Sequence, residues 1–457
     1  MVPREDTAAA ATMESYFDDV AAALDGLVAG GESYTAWFSG EASEFVRFNR
    51  GKVRQPGTVV QRYVDVDLIL GARHASHRLS LSGNLAADRE RLRAAVASLR
   101  AALPDLDPDP HLLVATDVVS TRAARGGPLP PVDSVVDAVL GAARGEDLVG
   151  LYAGGPIYRG FANSSGQRNW HETQSCNLQW SLYHRSDKAV KSTLSGFAWD
   201  DALLSAKMDA ARASLAQLAL PAKTLAPGKY RVFLSPAALE DIAGLLSWGG
   251  FSARALETRQ GSLSRMRSTD GGGAGALLDP RVTISEGTAR GVAPAFQSEG
   301  FARPAKVALI EGGRLVGALV SPRTAREFSL TANGANCDEA PESLEMAGGS
   351  LHANEALDAL GTGLYIGNLH YLNYSDRPAC RMTGMTRFAT FWVEDGKIVA
   401  PVNVLRFDDT IFRMLGENLE ALTTETELIL ESGTYRERAL ASMRLPGAIV
   451  RELAFTL

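Results

Sequence analysis

Two groups of side chains have the chemical types that bind zinc. His171, Glu172 and Cys176 form an H-E-x-x-x-C pattern, and His74 and His77 stand close together in sequence. Zinc sites combine imidazole, thiolate and carboxylate ligands that meet at one point. Both segments read as β-strands, where side chains alternate between two faces, so each pair would point apart. We therefore expect a strand with polar and apolar faces at His171. Near His74 we expect exposed residues at a hairpin end, unless a loop brings the two histidines together.

A third group of polar side chains lies closer to the C-terminal end. Its members are His370, Tyr371, Tyr374, Asp376, Cys380 and Arg381. One hypothesis is that His370 and Cys380, with nearby acids, form a metal site, or that this stretch contacts a substrate. The alternative is a loop packed by its own Tyr and Met side chains.

Other catalytic patterns do not occur in the sequence. The Ser-rich turn at residues 163–166 lacks the G-x-S-x-G frame of a nucleophile elbow. No G-x-x-x-x-G-K-[ST] loop occurs, so nucleotide hydrolysis is unsupported. Arg47, Asn49 and Arg54 could contact a partner or a peptide, although such residues more often end a hairpin.

Composition narrows the class of protein. The chain has 457 residues and a net charge of -7, which argues against a nucleic-acid partner. Its cysteines, Cys176, Cys337 and Cys380, form no C-x-x-C pair, which fits a reducing compartment. The start of the chain lacks the pattern of a signal peptide, and no apolar run is long enough for a membrane span. These features predict a cytoplasmic protein with no membrane partner.

Hydrophobic periodicity predicts an α+β fold with antiparallel sheets. The first half alternates helices with strands; in one of these strands Val64, Val66 and Leu68 occupy alternate positions. Predicted helices cover residues 13–28, 84–103, 132–143 and 200–218, and predicted strands cover residues 33–38, 45–49, 59–70 and 148–197. Pro227-Gly228 marks a boundary, which gives an N-terminal α+β domain over residues 1–226 and a β-rich C-terminal domain over residues 227–457.

The second half opens with a strand and a well-marked helix. Ser235 can cap this helix, Pro236 suits its first position, and Glu240 lies near its positive end. We expect the helix to run to about Gln260 and a flexible Gly-rich loop to occupy residues 271–276. Short strands with Gly turns follow, among them a hairpin that turns at residues 394–396 (EDG).

Three segments, in this order, resemble the TldD/PmbA family of metalloprotease-related proteins. They are residues 46–55 (VRFNRGKVRQ), 160–166 (GFANSSG) and 362–402 (TGLYIG…KIVAPV). The resemblance implies a two-domain α+β protein that forms dimers. One type of member is a zinc protease with H-E-x-x-x-H on a helix early in the C-terminal domain and a cysteine nearer the end. A second type lacks these ligands and pairs with the first.

At the matching positions this chain has no zinc ligand. Aligned on Leu256-Glu257, Gly249 and Gly250 take the places of the first His and the Glu, and Arg254 takes the place of the second His. Glycine has no side chain, and arginine stays protonated and offers no lone pair. No histidine occurs between His184 and His352.

Charged residues follow on the same predicted helix. Arg254, Glu257 and Arg259 could pair with each other or with a peptide, or they could form a solvated helix face.

The resemblance therefore implies a TldE-like subunit with no catalytic residue and no metal of its own. Its partner would be a TldD-like homologue that carries the zinc, or a second copy of itself, and its substrate would be unfolded peptide held as an added strand. Peptide maturation or degradation is the implied process. The alternatives are a homodimeric metallopeptidase with a site at His370 and Cys380, and a peptide-binding protein that does not cleave.

Overall fold

Alternating apolar residues in the first half form long strands, as predicted. Val64, Val66 and Leu68 are fully buried in one of them. The computed structural model describes residues 8–185, 188–267, 275 and 277–456. The strands of the first sheet are β1 (Ser33–Asn49), β2 (Lys52–Leu70), β3 (Arg73–Ser80), β4 (Arg122–Arg125), β5 (Asp147–Asn163), β6 (Arg168–Arg185) and β7 (Lys188–Gly196).

The first sheet has seven strands in the part of the chain that is described. Their order is β3-β2-β1-β5-β6-β4, with β7 also paired to β6, and only the β4–β6 pair is parallel. Residues 33–49 form one continuous strand, whereas the sequence predicted two. Its pairing with β5 skips two residues of β1 opposite Gly155. Gly155 has a φ of 133°, which only glycine adopts readily. This irregularity lies between the two strands that the sequence predicted.

Helices cover both faces of the first sheet. They are α1 (Ala8–Asp25), α2 (Leu85–Ala102), α3 (Val132–Ala142) and α4 (Asp201–Leu218). Asn84 and Asp200 cap α2 and α4 through their side-chain oxygens. The first two helices bury apolar residues such as Phe17 and Leu92 on one face, and the other two bury residues such as Val139 and Met208 on the opposite face.

The second half forms a larger, mixed sheet. Its strands are β8 (Gly228–Leu234), β9 (Ile284–Glu286), β10 (Val307–Glu311), β11 (Arg314–Leu315), β12 (Ser343–Met346), β13 (Gly363–Asp376), β14 (Arg381–Glu394), β15 (Lys397–Pro401), β16 (Arg406–Thr410), β17 (Leu419–Leu430) and β18 (Ser442–Phe455). This half is β-rich, as predicted, but its sheet is mixed and not antiparallel throughout, because the pairs β8–β13 and β12–β18 are parallel. Because β8 pairs with both β13 and β18, five strands (β8, β13, β14, β16 and β18) form a closed ring.

Short helices accompany the second sheet: α5 (Pro236–Leu246), α6 (Ala253–Glu257), α7 (Pro322–Phe328) and α8 (Ala356–Leu360). Ser235 caps α5 and Pro236 is its first residue, as predicted, but the helix ends at Leu246 instead of near Gln260. The predicted hairpin turn is confirmed, because Asp395 and Gly396 both have positive φ, as a tight turn of this kind requires.

Two sequence expectations concern segments outside these elements. The Gly-rich loop predicted at residues 271–276 lies, except for Gly275, outside the described residues. Within the described ranges, no helix is long and apolar enough to cross a lipid bilayer.

Candidate functional site

The positions that match the zinc motif lie in a turn. After α5 ends, the Gly250 N–H donates to the Leu246 carbonyl at 3.0 Å, and Gly249 has a left-handed φ of 77°. A Cβ atom at Gly250 would lie 2.4 Å from the Leu246 oxygen. The single helix expected through Gly249, Gly250 and Arg254 is therefore wrong, because a left-handed glycine and a backbone contact end it.

Arg254 lies beyond this turn, on the separate helix α6. Its backbone N–H donates to Glu339 Oε2 at 2.9 Å, and its guanidinium lies 3.9 Å from Glu327. The residues present do not fit a zinc ion, because two glycines supply no ligand atom and a guanidinium has no free lone pair.

The guanidinium of Arg377 covers the turn from the β13–β14 hairpin. It donates a hydrogen bond to the Trp248 carbonyl and lies 5.6 Å from the centre of the Tyr374 ring. A Cβ atom at Gly249 would lie 3.0 Å from Arg377 Nη2. A metal-binding side chain at Gly249 would thus begin in tight contact with a cation.

Buried polar groups form the floor beneath the turn. The Tyr374 hydroxyl donates to the Leu245 carbonyl at 2.9 Å and lies 3.0 Å from Ser262 Oγ. Cys380 is fully buried beside them, and burial raises the pKa of its thiol to about 12. Because only a thiolate is a good nucleophile or metal ligand, Cys380 is an inert thiol at neutral pH.

His370 and Cys380 do not come together. His370 is exposed and lies near the middle of β13, where it pairs with Met385. Cys380 lies in the turn of the hairpin, just before Arg381. That offset corresponds to about 15 Å at the usual rise of a strand. Partial desolvation, with Arg387 and Lys191 nearby, lowers the pKa of His370.

The other residues that could contact a peptide or substrate have separate surroundings. Glu257 pairs with Arg267 at 3.0 Å, so Arg254 and Glu257 each bind a partner outside their own helix. Arg259 has a left-handed φ of 57° just after α6. Arg381 forms an ion pair with Asp408. Tyr371, also at positive φ, is 77% exposed, and its ring centre lies 4.5 Å from that of His370.

The remaining candidates from the sequence are strand residues. His171 is buried, with Nε2 3.0 Å from the Val292 carbonyl oxygen, and burial lowers its pKa to about 4. Cys176, on the same strand, is buried in the apolar core. His74 lies 3.0 Å from Asp67, while His77 is exposed. Among the described residues, no three His, Cys, Asp or Glu side chains lie close enough to share a metal ion.

Arg47, Asn49 and Arg54 lie at the end of the β1–β2 hairpin, as predicted.

The structure also shows an acidic pair that the sequence analysis missed. Glu240 and Asp241 are adjacent on α5, and Asp241 Oδ2 accepts a hydrogen bond from the Leu369 N–H at 3.1 Å, next to His370. Burial raises the pKa of Glu240 to about 7 and that of Asp241 to about 6. The sequence showed Glu240 only as a charge at the start of a helix, because the elements that bury it are distant in the chain.

This burial predicts a stability that depends on pH. Since the pKa of Glu240 is raised in the folded state, its favourable contribution is complete below about pH 4.5 and is lost as the pH rises through about 7. Replacing Glu240 with Gln should therefore raise the free energy of unfolding at pH 8 by about 1–2 kcal/mol and leave it nearly unchanged at pH 4.5. Urea unfolding at both values measures this. Glu311→Gln, on an exposed residue, is the control, and equal effects of Glu240→Gln at both pH values would contradict the prediction.

Comparison with known sequences identifies the second half of the chain. Residues 227–456, half of the protein, match the family model described as the PmbA/TldA metallopeptidase C-terminal domain. A search of curated proteins gives no match.

Solved structures share the fold over nearly the whole chain. TldE from Thermococcus kodakarensis superposes with a TM-score of 0.76 at 13% identity, covering 97% of this chain and 100% of that one. A proposed modulator of a DNA gyrase from Thermotoga maritima gives 0.73 at 15% identity with the same coverage. A similar protein from Bacteroides thetaiotaomicron gives 0.71 at 14%, covering 99% of this chain and 100% of its own. Because the family model matches half of the chain, and the fold agrees with that match, the chain belongs to the PmbA/TldD family.

Proposed function

We propose that this chain is the TldE-like, non-catalytic subunit of a PmbA/TldD-type peptidase system in the cytoplasm. It pairs with a TldD-like homologue that holds the zinc ion; a second copy of itself is the alternative partner. Together the two subunits hold unfolded peptides for maturation or degradation.

The turn at Gly249 and Gly250 carries this proposal. A zinc protease needs two imidazoles on one helical face and a carboxylate that reaches the bound water. Here the helix ends before these positions, and the guanidinium of Arg377 covers them. The catalytic group must then come from another chain if the assembly cleaves peptides.

Two exposed aromatic side chains suit a peptide-holding role. Trp248, in the turn, is 62% exposed, and Tyr371, on β13, is 77% exposed. Large aromatic rings are enriched at binding surfaces. Hydrogen bonds to the peptide backbone along β13 would add affinity without strong sequence preference.

Reconstitution with a TldD-like homologue that carries H-E-x-x-x-H tests the proposal. We expect the two chains to elute together as a heterodimer by size-exclusion chromatography with light scattering. We also expect cleavage of an unfolded protein substrate to require this chain in addition to the homologue. Cleavage by the homologue alone at the full rate, or no complex, would contradict the subunit role.

The aromatic side chains give a more local prediction. Tyr371→Ala and Trp248→Ala should each raise the KM of the reconstituted pair for an unfolded substrate by about tenfold, because a buried aromatic contact contributes more than 1 kcal/mol. Tyr435→Ala, at a residue 86% exposed on a different loop, is the matched control. Peptide is held elsewhere if all three variants behave alike.

A further inference from the structure

The hairpin end formed by residues 46–62, called here the basic arm, has a charge opposite to that of the whole protein. It contains five Arg or Lys residues and no Asp or Glu, in a chain of net charge -7. Arg47, Arg50, Lys52 and Arg54 have no ion-pair partner within 4.0 Å among the described residues. Unpaired positive charges concentrated at the end of a hairpin create a local potential that attracts negatively charged groups.

The same arm has an open strand edge. β2 pairs with β1 along its length, except for an irregularity at Arg54, but with β3 only from Tyr63 to Leu70. The Leu81 N–H donates to the Arg62 carbonyl at 2.9 Å, which shows that Arg62 directs its backbone groups away from β1. Because the direction alternates with a period of two, Thr58 and Val60 also point their N–H and C=O groups outward. Neither has a second backbone partner in the described part of the chain.

Side-chain exposure extends over most of this edge. Residues 52–58 are all exposed, and Val60 is 54% exposed. Pro56 points in the same direction as Thr58 but has no N–H, so it limits how far an added strand can extend. Proteins usually protect such an edge, since its free backbone groups are a template for another strand.

We propose that the basic arm is a docking surface for an acidic, extended segment of a partner protein, which adds to β2 as a further strand. Thr58 and Val60 supply the backbone hydrogen bonds, and Lys52 and Arg54 pair with carboxylates of the segment. The surface goes beyond the proposed peptidase role and is independent of it, since no residue of the turn at Gly249 takes part.

A nucleic acid fits this surface less well than an acidic peptide. Single-stranded nucleic acids bind through bases stacked on aromatic rings as well as through phosphate contacts. The only aromatic residue in the basic arm is Phe48, and it is 2% exposed. The open edge, by contrast, is a feature that only a polypeptide can use.

Fluorescence anisotropy with a labelled peptide of about ten alternating Glu and Val residues tests the proposal on the full chain. Lys52→Glu combined with Arg54→Glu should weaken binding by at least about tenfold, because two attractive pairs become repulsive. The control variant combines Arg89→Glu with Arg314→Glu, at exposed residues elsewhere, and should bind like wild type. A peptide methylated on alternate backbone nitrogens should also bind at least about tenfold more weakly, because it lacks the N–H donors of an added strand. This comparison tests strand addition without any change in the protein.

Three outcomes would overturn the proposal. The first is a peptide affinity that the arm substitutions leave unchanged, or no binding at all. The second is single-stranded DNA of equal charge binding as tightly as the peptide. The third is a wild-type dimer in sedimentation that the arm substitutions convert to monomer, which would assign the surface to a second copy. None of these results depends on whether the chain assists cleavage.

Discussion

Replacing Arg438 with methionine is expected to lower the free energy of unfolding by about 3 kcal/mol. Arg438 lies in the loop between β17 and β18, is 5% exposed, and reaches into the first sheet. Its guanidinium donates to the Gly155 carbonyl at 3.0 Å and to the carbonyl and hydroxyl oxygens of Ser175 at 2.9 and 2.8 Å. Methionine fills a similar volume but has no donor to replace these three hydrogen bonds.

The contacts around Arg438 explain why the effect should be large. Glu437, the preceding residue, lies 3.3 Å from the buried Arg159 on β5, so the loop connects the second half of the chain to the first sheet at two adjacent residues. A small cavity of about 20 Å³ borders Arg438, Ser175 and Asn177 and could admit water when the guanidinium is removed. This partial compensation keeps the expected loss near 3 kcal/mol instead of a higher value.

Urea unfolding followed by circular dichroism and tryptophan fluorescence measures this loss. Arg436→Met, two residues away and exposed, is the matched control and should change the free energy of unfolding by less than about 0.5 kcal/mol. If Arg438→Met is as mild as the control, the loop does not hold the two halves together.

Restoring the zinc motif should destabilise the chain without creating a zinc site. In the variant Gly249→His/Gly250→Glu/Arg254→His, residue 249 must keep a left-handed φ, and the new Cβ at residue 250 meets the Leu246 oxygen at 2.4 Å. The strain and the steric contact together should cost about 3 kcal/mol. The two histidines would lie on either side of a break in the helix, so they would not share a metal ion.

Thermal unfolding and zinc analysis of this variant after dialysis against zinc provide the test. Gly127→Ala, where a Cβ has no atom within 4 Å, is the control and should leave the melting temperature nearly unchanged. Zinc bound by the variant in an amount equal to the protein would mean that the backbone can still form the helix of a zinc protease, which contradicts the geometry described here.

Local signals in the sequence predicted much of the fold. The Ser235 cap, the alternating strand at Val64–Leu68 and the Asp395–Gly396 turn all occur where predicted, because each depends on residues close in sequence. The helix expected to reach Gln260 failed because Gly249 and Gly250 were treated as helical positions. The guanidinium of Arg377, more than a hundred residues away in sequence, also contacts this turn at the Trp248 carbonyl.

The site was predictable only in part for the same reason. The sequence alone places glycine and arginine where the family resemblance implies zinc ligands. It did not indicate that Cys380 is buried, that His370 lies far from it, or that burial raises the pKa values of Glu240 and Asp241. These properties arise from pairing between distant strands and from packing between the two halves.

The zinc content of the purified chain, measured together with its peptidase activity, tests the central claim most directly. The isolated protein, incubated with zinc and then desalted, should retain far less than one zinc ion per chain and should cleave no unfolded substrate until a zinc-bearing homologue is added. Stoichiometric zinc with cleavage by the chain alone, both removed by His370→Ala, would contradict the account.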